Sequence, residues 1–244
     1  VEVAIGADLC TIQEAESFLK EVPEEMPFMA TSCCPAWSAM AKRDFPEQGK
    51  CISMALTPMV FTGRLIKKEH PNCKVAFIGP CSAKKLEAMR RSIRSDIDFV
   101  LTFEEVMGMF DAKDVNFAEL EEDHSMHGAS ADGRGFAVGG GVAHAVSEYI
   151  KENHPEVEVK MERADGLDNC RKMLMMAKTG KYNGYLLEGM ACPGGCVAGA
   201  GTIQPIAKST KAVADAMKGS THKHSSTSIY ADVLSSLEEK DTQA

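Results

Sequence analysis

Two cysteines four residues apart in a run of glycines constrain this chain more than any other feature. In Glu188-Gly-Met-Ala-Cys192-Pro-Gly-Gly-Cys196-Val-Ala-Gly-Ala-Gly201 the pair follows an apolar, strand-like segment, Tyr185-Leu-Leu-Glu-Gly-Met190. Thiolates that converge on a metal centre need a backbone that can approach it closely, and glycine permits this because it has no Cβ. Alone, the pair fits zinc, a redox couple or an iron–sulfur cluster. Two further Cys-Pro contexts narrow the choice, Thr31-Ser-Cys33-Cys34-Pro35-Ala-Trp37 and Ile78-Gly-Pro80-Cys81-Ser82-Ala-Lys84-Lys-Leu-Glu87.

The other cysteines set the chemical context. The chain has 244 residues and 9 Cys, an odd number, and Val1-Glu-Val-Ala-Ile opens with no basic leader. That pattern argues for a reducing, cytoplasmic compartment in which thiols are ligands or core residues. Cys10, Cys51, Cys73 and Cys170 stand singly among apolar or helical neighbours and read as packing. A net charge of -8 gives no support to nucleic acid or an anionic membrane as partner. No apolar run reaches the roughly 18 residues that membrane insertion needs. The missing initiator Met implies that Val1 is not the native start.

Strands alternating with helices predict an α/β chain, built as one large domain or as two lobes. The β-rich opening Val1–Ile5 reads as a strand. Thr11 then caps a helix over Ile12–Glu21, with Glu14 in its first turn. Pro35 and Pro58 suit the first positions of helices running to about Arg43 and His70. Lys74–Ile78 reads as a short buried strand delivering Cys81, and Lys84–Arg91 as helix. Asp98–Leu101 reads as strand, followed by a helix over Phe103–Phe110 capped by Thr102. Residues 111–127 are acidic surface. Gly133-Arg-Gly-Phe136-Ala-Val-Gly-Gly-Gly141 precedes a helix over Val142–Glu152. Such a loop could cradle phosphate, but it lacks a Gly-Lys-Ser/Thr ending, and close packing against a buried cofactor accounts better for its glycines. Val157–Met161 and Tyr182–Met190 read as strands around a helix over Leu167–Lys178, and Lys208–Lys218 as helix. Ser220-Thr-His222-Lys-His224-Ser-Ser reads as a solvated linker, and Ser228–Lys240 as a closing helix. The many methionines, Met173, Met175 and Met176 among them, read as core filling.

Cys34, Cys81, Cys192 and Cys196 are the candidate ligands of one centre, four thiolates as a [4Fe–4S] cube requires. Structural zinc usually uses two local Cys pairs, whereas only 192/196 is a pair here. Cys33 is left over. Its neighbour ligates while it faces another direction, so it is either packing or a proton carrier, and a pKa near neutrality suits the second role. Lys84 brings an ammonium to the same place, suited to an anionic ligand or to an ion pair with Glu87.

These three motifs, in order and spacing, resemble the signatures of the [FeFe]-hydrogenase catalytic domain, and the resemblance covers most of residues 7–206. It implies that Cys34, Cys81, Cys192 and Cys196 hold the cubane of the H-cluster, with Cys196 bridging to a di-iron subsite carrying CO, cyanide and a dithiolate with a bridgehead amine. It implies that Cys33 exchanges protons with that amine and that Lys84, beside Glu87, hydrogen-bonds a cyanide. Met190 and Phe136 match residues lining the di-iron pocket and, with Pro80 and Ser82 beside the second ligand, are expected to bind the cofactor, while Ser53 matches a serine on the proton path and joins Cys33, Lys84 and Glu87 as an expected catalytic residue. The implied reaction is 2H⁺ + 2e⁻ ⇌ H₂. Dihydrogen and protons are then the substrates, ferredoxin or another redox protein the electron partner, and maturation machinery the source of the subsite. Residues 1–206 would form the H-cluster core, an α/β fold of two lobes of mixed β-sheet flanked by helices with the metal cluster between them, and 207–244 a C-terminal helical extension.

The chain also departs from the family pattern. Ala36 and Gly79 replace a glycine and a methionine. The two glutamates of the proton path fall on Ala15 and Phe18, with Glu14 and Glu16 nearby. A segment that precedes Val1 in the family is missing, and no ferredoxin-like Cys-x₂-Cys run is present, so electrons must come directly from a partner. A hydrogen sensor and a cubane-only iron–sulfur assembly protein are the alternatives. The assembly relatives usually lack the first of the paired cysteines.

Overall fold

The computed structural model describes residues 1–121 and 128–238. Its helices are α1 (Ala4–Glu21), α2 (Pro35–Asp44), α3 (Pro46–Gly49), α4 (Pro58–Glu69), α5 (Ala83–Ala88), α6 (Phe103–Asp111), α7 (Ala131–Gly135), α8 (Gly141–Asn153), α9 (Leu167–Lys178), α10 (Ile206–Lys218) and α11 (Leu234–Glu238). The strands are β1 (Met29–Ala30), β2 (Ala76–Gly79), β3 (Phe99–Thr102), β4 (Lys160–Asp165) and β5 (Tyr185–Met190). Parallel strands need long crossover connections, which the helices between them supply, and every named pair is parallel. One lobe carries a sheet in the order β1-β5-β4, the other the pair β2-β3. The largely apolar run of β5, broken only by Glu188, suits a strand covered on both faces, and it is the central one, buried from Leu186 to Met190.

Pro35 and Pro58 start α2 and α4 as expected. Thr102 caps α6 in a reciprocal capping box with Glu105. Cys10, Cys51 and Cys170 are buried, and Cys73 is half-buried.

Several expectations are overturned. The opening segment is not a strand; α1 begins at Ala4, and Thr11 lies inside it, donating to the Ala7 carbonyl at 3.0 Å. Every residue from Ile5 to Ile12 is buried, so no polar face betrays the helical period, and the β-branched opening imitates a strand. β2 is not buried: Ile78 is 48 % exposed, because β2 pairs on one side only. β4 starts at Lys160, later than the charged alternation suggested. The supposed linker packs down, with the buried Ser225 hydroxyl donating to Asp8 Oδ1 at 2.9 Å and His224 Nδ1 lying 3.1 Å from Asp132 Oδ2. The closing helix is only α11, preceded by a 3₁₀ turn at Ala231–Val233. Residues 122–127 and 239–240, which share the surface and closing-helix expectations, lie outside the described residues. Met173 is core, but Met175 and Met176 are exposed.

Trp37 locks α2 onto β5. Its Nε1 donates to the Thr31 carbonyl at 3.1 Å, and a Cβ on Gly189 would stand 2.2 Å from its ring. Gly189→Ala is therefore expected to destabilise the chain by about 1–3 kcal/mol, the usual cost of overpacking a filled core. The midpoint of urea unfolding measures this, and an unshifted midpoint would mean that Trp37 yields.

Candidate metal centre

Three strand ends aim cysteines at one place. β1 leads to Cys33 and to Cys34, the N-cap of α2. β2 leads to Cys81 just before α5, and β5 leads to Cys192 and Cys196. Carboxyl ends of parallel strands are where α/β folds gather ligands. All five cysteines line one cavity of about 250 Å³ between the lobes, together with Lys84, Met190, Phe136 and Pro80. Among the described residues no three His, Cys, Asp or Glu side chains converge closely enough for a single ion. The thiols ring a space instead.

The turn that carries Cys196 depends on two left-handed glycines, Gly194 at φ +90° and Gly195 at φ +95°. A Cβ on Gly195 would lie 2.5 Å from the Gly139 nitrogen, so the glycine loop packs directly against the cysteine turn. Asp165 Oδ2 accepts from the Gly194 amide at 3.0 Å, and Cys34 Sγ accepts from the Ala191 amide at 3.4 Å.

Glu188 explains what the glycine loop cradles. Its carboxylate is 1 % exposed and accepts from the Gly140 amide at 2.6 Å and the Ala143 amide at 2.8 Å. The acceptor at the start of α8 is thus a carboxyl from β5, matched to free amides and the helix dipole, which offset in part the upward push of burial on its pKa. No phosphate is needed there.

Lys84 Nζ sits 2.6 Å from Glu87 Oε2 and donates to the Cys33 carbonyl at 3.2 Å. Burial lowers its pKa, but the Glu87 carboxylate, together with the neighbouring Cys33 and Cys81 sulfurs, outweighs that and leaves the ammonium above its ordinary range. Lys84 thus pairs with Glu87 and lines the cavity. Ser82 is exposed and Ser53 buried, and neither lines the cavity.

Cys33 departs from the expected near-neutral thiol. Burial pushes it well above its ordinary range, and Glu14 pushes the same way. Burial likewise raises Cys81 and Cys192, and takes Cys196 up to about 12.

Glu14 is the residue that sequence reasoning misplaced. It is wholly buried in α1, and its Oε1 accepts from the Ser32 amide at 2.8 Å and the Ser32 hydroxyl at 3.0 Å. Ser53 stands beside the same carboxyl, whose Oε2 has no hydrogen-bond partner among the described residues. Burial raises its pKa from 4.5 to about 7, against the lowering pull of Ser32 and Ser53. The one charged residue between Leu9 and Ala15, Glu14, was the available signal. Reading α1 as a helix starting at Thr11 hid it.

The family model described as "Iron only hydrogenase large subunit, C-terminal domain" matches residues 1–200. The chain belongs to this family. It is 30% identical to the periplasmic [Fe] hydrogenase large subunit of Nitratidesulfovibrio vulgaris, over 82% of this chain and 58% of that protein. It is also 28% identical to human nuclear prelamin A recognition factor, over 95% of this chain and 60% of that protein. The chain thus spans less than two thirds of the length of these relatives. A solved apo [FeFe]-hydrogenase from Chlamydomonas reinhardtii shares the fold, with a TM-score of 0.73 at 20% identity, covering 97% of this chain and 79% of that one. The α/β architecture of parallel sheets flanked by helices is that of the hydrogenase catalytic domain. No helix among the described residues is long and apolar enough to cross a membrane.

Proposed function

We propose that this chain is a hydrogenase core that interconverts protons, electrons and dihydrogen at an H-cluster. The observation that carries the reading is the fifth thiol. Cys34, Cys81, Cys192 and Cys196 satisfy a [4Fe–4S] cube, yet Cys33 faces the same cavity beside a buried ammonium. A cube alone has no use for either. The donor set and the cavity fit the group: four thiols for the cube, and an apolar remainder walled by Met190 and Phe136. When bound, the cluster supplies redox-active iron with a position open to substrate.

The chain's own residues do the rest. Lys84, fixed by Glu87, offers an ammonium to an anionic ligand of the subsite. Met190 and Phe136 exclude water. Cys33 Sγ holds the proton that meets the substrate. Behind it, Glu14 is the next proton-carrying group, oriented by both donors of Ser32, and Ser53 continues the line outward. On this reading residues 1–206 form the core and 207–244 the extension, whose α10 buries no residue.

The relatives that include prelamin A recognition factor favour a second reading, a cubane-only protein without turnover. Cys33 and Lys84 argue against it. The test is an infrared spectrum of the matured, anaerobic protein in the metal-carbonyl and cyanide stretching region, followed by hydrogen evolution from reduced viologen. Carbonyl and cyanide bands with turnover are expected. A blank spectrum after chemical loading with a di-iron mimic would sink the reading, and bands without turnover would make the chain a sensor.

A further inference from the structure

The turn that carries the last two cysteines is held from outside their motif. Strand β4 runs parallel to β5 and ends in register with it, Asp165 opposite Met190. It thus ends where the Cys192–Cys196 turn begins. Asp165 Oδ2 accepts from the amide of Gly194, midway between the two cysteines, at 3.0 Å. The Gly194 carbonyl accepts from the Gly139 amide at 3.1 Å, so both backbone polar groups of Gly194 are tied. Gly139 closes over the carboxylate, since a Cβ there would stand 3.2 Å from Asp165 Oδ2. The Asp165 carbonyl accepts from Asn169 Nδ2 at 3.0 Å, which fixes the residue before the chain turns at Gly166, φ +76°.

The charge on this carboxylate is not matched. Asp165 is half-buried and makes no ion pair among the described residues. Arg163, two residues before it, is turned to the Gly139 carbonyl at 2.8 Å. The field of Asp165 reaches inward: burial takes the Cys170 thiol up to about 12, and Cys34 and Asp165 push it the same way. The Lys84 ammonium of the cavity offers no balance, because Glu87 already matches it at 2.6 Å.

We infer that Asp165 is a positioning residue that holds the cysteine turn and keeps the reduction potential of a cube bound there low. The inference rests on the four-thiol cube of the proposed function and is indifferent to the di-iron subsite. On reduction a cube takes up one electron and gains one negative charge, which a nearby carboxylate opposes. The same carboxylate occupies the Gly194 amide, which is then not free to donate to a cluster sulfur, and such hydrogen bonds ease reduction. Both effects run in one direction. A low potential suits a centre that passes electrons to protons.

The test reconstitutes the chain anaerobically with iron and sulfide and titrates the cube with dithionite, reading the reduced form by EPR. Asp165→Asn keeps an oxygen for the Gly194 amide and removes the charge. At a fixed potential its ratio of reduced to oxidised cube should be about tenfold higher, a midpoint rise of about 59 mV for one electron. Asp165→Glu restores a carboxylate and should stay within about threefold of the parent. Glu162→Gln, at an exposed position three residues earlier on β4, should do the same, because its charge lies about 10 Å further back along the strand. Iron and sulfide content should stay parental throughout.

An unmoved midpoint in Asp165→Asn overturns the inference. So does an equal rise in Asp165→Glu or in Glu162→Gln, since neither the charge nor its place would then matter. If Asp165→Asn holds no cube, Asp165→Ser, whose hydroxyl can also accept from the Gly194 amide, carries the same expectation. Loss of the cube from both overturns it too, because the carboxylate would then serve assembly rather than potential. A parent chain that takes up no cube is a different failure, and it removes the four-thiol assignment of the proposed function itself.

Discussion

Replacing Cys33 by alanine is expected to lower dihydrogen turnover by about 10²–10⁴-fold, the range over which a positioned acid–base group accelerates proton transfer. Iron and sulfide content should stay at the parental level. The separation follows from the site: Cys34 caps α2 and takes the Ala191 amide at 3.4 Å, while Cys33 contributes its backbone carbonyl to Lys84 at 3.2 Å and leaves only its thiol to lose. Alanine keeps that carbonyl. The Lys84 ammonium and its 2.6 Å pairing with Glu87 therefore persist, and so does any anion they hold. Serine at the same place should also fail, because a hydroxyl gives up its proton far less readily than a thiol. Infrared bands of the loaded variant, compared with hydrogen evolution, check the claim. Parental turnover in Cys33→Ala would remove Cys33 from the proton line and leave it as packing.

The candidate metal centre was far more legible in the sequence than the helix beside it. Cysteine, proline and glycine carry chemistry in their identities, so the three motifs and the fold class could be read directly, and the structure brings all five thiols of those motifs to one cavity. Helix α1 carried no such mark. A helix whose first turns are buried all round shows there neither amphipathic period nor capping side chain, and Val1 and Val3 just before it imitate a strand. Once α1 was read as a strand followed by a capped helix, Glu14 became a helix-start residue rather than a buried acid. The same blindness affected Ser225 and His224, since polar residues that pair with a buried Asp8 and Asp132 look from sequence like solvated ones. Glu188 is the converse case. Its position in the cysteine motif was visible, but its partner, the amides opening α8, lies 48 residues away at Gly140.

Glu14→Gln should then have two consequences of separate origin. In the parent chain, burial raises the Glu14 pKa from 4.5 to about 7. A carboxyl whose folded pKa lies above its unfolded value binds its proton more tightly when folded. Its contribution to stability is thus full below pH 4.5 and is lost as pH rises through about 7. The shift corresponds to on the order of 3 kcal/mol across that window. Glutamine imitates the protonated acid, keeps a carbonyl oxygen for the Ser32 donors and cannot ionise, so the variant should hold its stability where the parent loses it. Urea unfolding at pH 5 and pH 8 under anaerobic reducing conditions reads this difference directly. The second consequence concerns turnover. A carboxyl poised near neutrality passes protons in both directions, which a reversible reaction requires, and glutamine passes none. Hydrogen evolution should fall by about 10²-fold or more at every pH, despite the more stable fold. A variant that gained stability at pH 8 while evolving hydrogen at the parental rate would leave Glu14 as a buried acid of structural consequence only, and the protons would have to leave Cys33 by another route.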